Sequence, residues 1–106
     1  MSSRLRRFER LLPQRYNDGR EISRRLLGLA LNEIVDKFGA ASFEPTVVEG
    51  YWRHEGTLYN DSLSKIVIDV EDIDENRQWM RDYKGRWKET LEQIDLWLVS
   101  YEIDVE

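Results

Sequence analysis

The stretch Leu63-Ser-Lys-Ile-Val-Ile-Asp-Val70 decides the fold. Ile66, Ile68 and Val70 lie on one face of this stretch, whereas the alternate residues Lys65, Val67 and Asp69 lie on the other. Alternation with a period of two predicts a strand that is covered on one side. Aromatic and apolar residues then recur at helical spacing, at Trp79, Met80, Tyr83, Trp87 and Leu91. A helix that begins at Asp72 or Asp74 therefore follows the strand.

Toward the N-terminus, the sequence predicts a helix preceded by a strand. The apolar stripe of this helix starts at Ile22 and continues at residues 26, 27, 30, 31, 34, 35 and 38. Gly39 ends the helix, and either Ser23 or Asp18 supplies the oxygen that caps its first turn. Residues 4–12 form the preceding strand, which closes at Pro13 before the turn signal Asn17-Asp18-Gly19.

Two further segments complete the order of elements. Residues 43–53 and the dipeptide Leu58-Tyr59 indicate a hairpin that turns at His54-Glu55-Gly56-Thr57. Residues 94–105 alternate as a closing strand, with Leu96 and Leu98 on one side and Trp97, Val99, Tyr101, Ile103 and Val105 on the other. The order is therefore strand, helix, strand, strand, helix, strand. It predicts a ferredoxin-like βαββαβ sandwich of α+β class, with two helices on one face of a four-stranded antiparallel sheet.

Composition limits the chain to one domain, over residues 1–106, and to a few classes of protein. With 106 residues, of which 41% are apolar, it can build one modest core. It contains no cysteine, so a disulfide and a thiolate zinc site are excluded. The longest nearly apolar run falls far short of the roughly 20 residues that span a bilayer, and no secretory signal follows Met1. We therefore expect a cytoplasmic protein.

Charge is distributed unevenly along the chain. Residues 1–25 hold eight arginines and three acidic residues, a net charge of +5, and the other 81 residues hold eight basic and 18 acidic residues, a net charge of −10. Such asymmetry is found in basic arms that bind anionic partners. It is also expected where the folded chain, or a dimer, brings the two parts together. We favour the second explanation, because the sequence pI near 5.0 is unlike that of a nucleic-acid-binding domain.

Both sides of the predicted sheet carry apolar residues, and the helices can cover only one of them. The other side should be covered by a second copy of the chain or by another protein. The candidate interaction surface consists of Arg4, Arg6, Arg10, Trp97 and Tyr101. The same arginines share a face with Phe8, which suggests an alternative surface for single-stranded nucleic acid that also includes Arg7. The acidic remainder of the chain disfavours nucleic acid.

Few residues are of the types that catalyse reactions or bind ligands, and a purely structural role can explain the presence of each. His54 is the only histidine; with Trp52 and Tyr59 it could form a ligand-binding cluster, although Trp52 and Tyr59 could simply pair across the hairpin. The acidic run Asp69, Glu71, Asp72, Asp74 and Glu75 could bind a hard cation, but helix capping explains it better. Nucleotide-binding and hydrolase motifs are absent from the sequence. We expect no catalytic residue, no metal and no cofactor.

Several short motifs resemble those of a family of small uncharacterised bacterial proteins. They are Arg15-Tyr16-Asn17-Asp18-Gly19, Gly50-Tyr51-Trp52 with Leu58-Tyr59-Asn60-Asp61, Ile68-Asp69-Val70 with Glu75-Asn76, and Gln93-Ile94-Asp95-Leu96-Trp97. The resemblance implies a small α+β domain and no assigned activity. The sequence thus predicts a non-catalytic interaction module that acts as a homodimer or as a subunit of a larger assembly. The first alternative is a ligand-binding protein or enzyme with a pocket near Trp52, His54 and Tyr59, and the second is a nucleic-acid binder.

Overall fold

A computed structural model describes residues 4–106, apart from the side chains at positions 46–48 and 61. The elements are β1 (Leu5–Pro13), α1 (Arg24–Phe38), β2 (Ser42–His54), β3 (Thr57–Glu71), α2 (Asp74–Thr90) and β4 (Leu98–Ile103). The four strands form one sheet in the order β2-β3-β1-β4, and every neighbouring pair is antiparallel. The predicted α+β class, with two helices and an antiparallel sheet, is confirmed. No helix within residues 4–106 is long and apolar enough to cross a membrane.

Local signals explain where the first helix and the hairpin begin and end. The Ser23 side chain accepts a hydrogen bond from the Leu26 backbone N–H, so Ser23 rather than Asp18 caps α1. Gly39 ends α1 in the left-handed conformation, at φ 87°. Glu55 and Gly56 both have positive φ, 48° and 80°, which is the two-residue turn that matches the twist of a hairpin.

The hairpin of β2 and β3 extends beyond the rest of the sheet. β1 pairs with β3 only from Leu63 to Glu71, so the first six residues of β3 pair with β2 alone. The register of β2 shifts between Glu44 and Val48, around Pro45, which cannot donate to a ladder. The molecule consequently measures 50 × 28 × 24 Å.

The core lies between one face of the sheet and the two helices. Every second residue of β1 from Phe8 to Leu12 is buried, whereas Glu9 and Leu11 are only half-buried on the opposite face. The Tyr83 hydroxyl on α2 donates a hydrogen bond of 2.7 Å to the Ala30 carbonyl on α1, which joins the helices. The remaining buried apolar residues are Ile22, Ile34, Ile66, Ile68, Val70, Met80, Trp87, Leu91 and Leu96.

The closing strand is shorter than the sequence predicts. Residues 94–105 alternate as a strand would, yet β4 covers only Leu98–Ile103. The chain leaves α2 through Glu92, whose φ is 54°, and the Asp95 side chain accepts a hydrogen bond of 2.9 Å from the Leu96 N–H. These local turns satisfy backbone groups that a strand would direct to its neighbour.

Candidate functional site

The predicted ligand cluster lies at the end of the hairpin. Trp52 and Tyr59 are cross-strand partners, and their rings stack with centroids 4.4 Å apart at an interplanar angle of 15°. The pairing predicted across the hairpin is therefore confirmed. The His54 ring lies 6.4 Å from that of Trp52, and its Nε2 is 3.8 Å from the Glu55 carboxylate. His54 is exposed and has no second polar side chain in this contact, so the geometry resembles a surface residue more than a catalytic base.

A groove of about 370 Å³ separates the hairpin from the segment that leads into β4. Its apolar walls bring together Trp52 and Trp97, which the sequence assigned to two different surfaces. His54 and Tyr59 do not line it. Trp97 is 61% exposed, so a large aromatic surface remains accessible to solvent beside the groove. The other lining residues are Leu11, Pro13, Gly50, Tyr51, Leu63, Gln93, Asp95 and Leu96.

The groove has one charged residue at its rim. The Asp95 carboxylate is 3.1 Å from Lys84 Nζ. Burial acts to raise the pKa of Asp95, but hydrogen bonds from Lys84 and from the Leu96 N–H outweigh it and lower that pKa. Asp95 is therefore anionic at neutral pH and already has a cationic partner. The groove suits an apolar or aromatic group better than a charged one.

The face of the sheet opposite the helices, which we call the open face, combines apolar residues with neutralised charges. Arg7 donates two hydrogen bonds to Asp69, at 2.8 and 3.0 Å, and Lys65 Nζ is 2.9 Å from Glu9. The hydrogen bond and charge of Arg7 lower the pKa of Asp69. The surrounding apolar residues are half-buried or exposed: Leu5, Leu11, Leu63, Val67, Trp97, Val99, Tyr101 and Ile103. These four charges can therefore be covered as neutralised pairs, whereas Glu44 and Glu71, in register with Lys65 and Leu5 on the same face, are exposed.

The N-terminal arginines do not form the exposed basic surface predicted for them. Arg6, Phe8 and Arg10 do share a face of β1, but that face packs against the helices. Arg6 is largely buried and donates to Asp72 at 2.9 Å, and Arg10 is 1% exposed. Arg4 is exposed and pairs with Glu102 at 3.5 Å. Including Arg6 and Arg10 in an exposed interaction surface, or in one for nucleic acid, is therefore wrong, whereas Trp97 and Tyr101 do lie on the open face.

Arg10 occupies a position that the sequence did not predict. Its guanidinium carbon lies 4.9 Å from the centroid of the Tyr83 ring, and Nε, Nη1 and Nη2 have no hydrogen-bond partner within residues 4–106. Burial lowers the pKa of Arg10 to about 10. Burial likewise raises the pKa of Tyr83, so the phenol stays neutral at physiological pH. Alternation along β1 could have indicated a residue facing the core, but an arginine is rarely found there.

The acidic run is divided among separate structural roles. Asp69 pairs with Arg7, and Asp72 accepts hydrogen bonds from both Arg6 and Arg77 at 2.9 Å. Asp74 and Glu75 lie in the first turn of α2, where carboxylates stabilise the helix dipole. No group of three His, Cys, Asp or Glu side chains that could hold a metal ion occurs in the described part of the chain.

Other concave surfaces were not predicted from the sequence, and two of them involve the helices. The larger, about 650 Å³, lies along α1 and is lined by Gln14, Arg24, Leu27, Leu31, Phe43 and Ser64, among others. The smaller, about 270 Å³, lies between α2 and β4 and is lined by Arg77, Arg81, Lys84, Phe8, Leu98, Val99 and Ser100. Positively charged residues of α2 therefore meet the last strand, a juxtaposition that only the tertiary structure creates.

No protein-family model and no curated protein matches the sequence. Among solved structures, a phage SAM lyase in complex with S-methyl-5′-thioadenosine superposes with a TM-score of 0.69 at 13% identity, covering 100% of this chain and 93% of its own. The divalent ion tolerance protein CutA1 from Ehrlichia chaffeensis gives 0.63 at 6% identity, with 100% and 87% covered. CutA1 from Oryza sativa gives 0.60 at 12% identity, with 99% and 84% covered.

These structures share the architecture of the chain. They identify a small α+β fold that proteins of different activity use, and at such low identity they carry no residue roles to this chain.

Proposed function

We propose that this protein is a non-catalytic interaction module that associates with a second copy of itself through the open face of its sheet. The observation that carries the proposal is the combination of apolar residues with the ion pairs Arg7–Asp69 and Glu9–Lys65 on that face. Because these four charges have partners within the same chain, two copies can meet over this part of the face without burying an unpaired charge. A face this apolar is otherwise unfavourable in water.

The test replaces one aromatic side chain of the open face with a charged side chain. Tyr101, 43% exposed, lies in β4 on the open face, whereas Leu29, 49% exposed, lies on α1. Sedimentation equilibrium of the Tyr101→Lys variant should show a weaker dimer than the unchanged protein, because association would bury a charged side chain that has no partner. The matched variant Leu29→Lys should leave association unchanged. Equal association of both variants would place the contact elsewhere.

A second candidate is a small-molecule-binding protein that uses the groove between Trp52 and Trp97. Its apolar lining and its two tryptophans suit an aromatic ring. One structural neighbour holds S-methyl-5′-thioadenosine, which contains such a ring, so this compound is a reasonable probe. Quenching of tryptophan fluorescence on titration, reduced in Trp97→Ala, would support this candidate. Unchanged affinity in His54→Ala would remove His54 from the ligand-binding residues, and no quenching with the unchanged protein would remove the candidate.

The finer assignments are part of this proposal. We assign the chain to the ferredoxin-like class on the basis of its βαββαβ order and the strand order β2-β3-β1-β4. A cytoplasmic location stays a prediction from composition. Nucleic-acid binding is disfavoured, since Arg6 pairs with Asp72 and Arg10 is buried.

A further inference from the structure

The cleft between α2 and β4 carries an excess of positive charge in a protein of net charge −5. Arg77, Arg81 and Lys84 line it from α2, one turn apart, and Ser100 lines it from β4. The cleft measures about 270 Å³ and is open along the edge of the sheet. It involves a different surface from the open face, because the even-numbered residues of β4 point toward the helices.

The carboxylates near the cleft do not balance its cations. Asp72 is the common partner of Arg6 and Arg77, at 2.9 and 2.8 Å, which leaves one positive charge in excess. Lys84 and Asp95 form a pair at 3.1 Å and cancel. The charge around the cleft is therefore already positive before Arg81, in its lining, and Arg10, behind it, are counted.

Those two arginines have no carboxylate partner within the described residues. Arg81 is exposed, and its Nη1 donates only a long hydrogen bond of 3.4 Å to Gln78 Oε1. Arg10 is buried immediately behind the cleft wall, since its cross-strand partner is Leu98 and Phe8 is its neighbour on the same face of β1. Together with the excess at Asp72, they give the cleft a net charge of about +3, which favours an anionic occupant.

The strand that borders the cleft presents unpaired main-chain groups. In an antiparallel pair, residues that exchange hydrogen bonds alternate with residues whose N–H and C=O point away. The Leu11 N–H donates to the Trp97 carbonyl at 3.2 Å, so the odd-numbered residues of β4 bond to β1. The N–H and C=O groups of Leu98, Ser100 and Glu102 therefore point outward, at an edge that has no further strand within residues 4–106.

We infer that this cleft binds an acidic peptide from another protein in an extended conformation, added as a fifth strand along β4. The peptide's main chain pairs with the outward groups of Leu98, Ser100 and Glu102, which gives affinity that does not depend on sequence. Its alternate side chains point toward α2, where carboxylates meet Arg81 and the excess charge at Arg77. Edge pairing alone accepts any extended chain, so the α2 cations supply the selection for acidic residues.

The experiment measures fluorescence anisotropy of a labelled peptide with alternating Glu and Val residues, titrated with the full chain. A matched peptide with Lys in place of Glu is the control. The acidic peptide should bind, the basic one should not, and affinity should fall about tenfold or more between about 50 mM and about 500 mM NaCl. Arg81→Gln should weaken binding about fivefold or more, and Arg25→Gln, an exposed arginine on α1, should leave it unchanged.

A second variant tests the strand pairing itself. Ser100→Pro removes an N–H that points away from β1, and proline is tolerated at such edge positions, so the fold should survive and peptide binding should be lost. Ser100→Ala controls for the hydroxyl, which accepts a hydrogen bond of 3.1 Å from Arg6. Circular dichroism melts establish that the variants are folded. If Ser100→Pro does not fold, N-methylated acidic peptides provide the same test, because they lack main-chain N–H groups and should fail to bind the unchanged protein.

Each of the following results would overturn the inference. If the acidic peptide does not bind, or if the basic peptide binds equally well, an acidic peptide is not the ligand of the cleft. Binding that persists in Ser100→Pro, or to N-methylated peptides, would mean that the cleft takes a carboxylate without a strand. A dimer of the unchanged protein that Ser100→Pro dissociates would show that a second copy occupies this edge. Tyr101→Lys changes a side chain of the open face and removes no main-chain group of β4, so a dimer that Tyr101→Lys weakens and Ser100→Pro leaves intact supports the open face, and the two proposals can fail separately.

Discussion

The guanidinium of Arg10 lies over the face of the Tyr83 ring, 4.9 Å from its centroid, between the sheet and the helices. A desolvated cation over an aromatic face gains about 2 kcal/mol. Removing an ion from water opposes folding by several kcal/mol, and the Arg10 guanidinium has no hydrogen bond within the described residues to offset this. Arg10 therefore lowers the stability of the fold at neutral pH.

Replacing this buried charge with an apolar side chain should stabilise the protein. Arg10→Met keeps most of the volume and removes the charge, so we expect the free energy of unfolding to rise by about 1–4 kcal/mol. Urea denaturation at pH 7 measures it. Arg25→Met, at an exposed position of α1, should change the value by less than about 0.5 kcal/mol. A loss of stability in Arg10→Met would show that the guanidinium has a partner that stabilises the folded state.

Tyr83 donates a buried hydrogen bond from α2 to α1, in addition to the hydrogen bond that Trp87 Nε1 donates to Glu33. Tyr83→Phe removes this donor, while the Ala30 carbonyl keeps its hydrogen bond within α1, so the free energy of unfolding should fall by about 1 kcal/mol. Tyr51→Phe is the matched control, because the Tyr51 hydroxyl bonds Glu49 at the surface, 3.1 Å away. It should change stability by less than about 0.5 kcal/mol. Equal effects of the two substitutions would contradict this account.

Asp72 should make stability depend on pH in the acid range. Hydrogen bonds from Arg6 and Arg77 lower the pKa of Asp72 below its ordinary value of 3.8. Since the folded-state pKa is the lower one, this stabilisation is complete well above pH 3.8 and disappears as the pH falls through the depressed value. The Asp72→Asn variant should therefore melt below the unchanged protein at pH 7, and the difference should shrink as the pH falls below 3.8.

Thermal melts over a series of pH values measure this difference. Asp74→Asn serves as the control, because Asp74 lies in the first turn of α2 and has no ion pair within residues 4–106. A difference between Asp72→Asn and the unchanged protein that stays constant from pH 7 to the acid limit would show that the two arginines do not act through the charge of Asp72.

Two glycines should respond in opposite directions to the same substitution. Gly85 lies inside α2, where an added Cβ meets nothing within 4 Å, so Gly85→Ala should stabilise the protein by about 1 kcal/mol. Gly39 ends α1 with φ at +87°, a conformation that strains alanine, so Gly39→Ala should destabilise it by about 1 kcal/mol. Thermal unfolding of both variants measures the effects, and a shared sign would contradict the assigned backbone conformations.

The order of the elements could be predicted because its signals are local. The alternation at Ile66, Ile68 and Val70, the helical stripe from Ile22 and the glycine at position 39 each depend on a few consecutive residues. The prediction that the last strand includes residues 94–97 was wrong because it also depended on local alternation alone. Alternating residues imitate a strand there, whereas the left-handed conformation of Glu92 and the side chain of Asp95 turn the chain.

The candidate surfaces depend on contacts between distant parts of the chain. Alternation separates Arg6, Phe8 and Arg10 from Arg7 and Glu9, but it cannot say which set the helices cover. The groove that joins Trp52 to Trp97 exists only because the hairpin extends beside the segment before β4. The cationic cleft likewise requires that α2 and β4 become neighbours. Trp52 and Trp97 could be selected from the sequence, but the sequence did not indicate that they lie in the same groove.

Native mass spectrometry of the unchanged protein at several concentrations tests self-association through the open face most directly. We predict a species at twice the chain mass of 12.7 kDa, which becomes dominant as concentration rises and is reduced by Tyr101→Lys but not by Leu29→Lys. A species at 12.7 kDa alone, at every concentration, would contradict it.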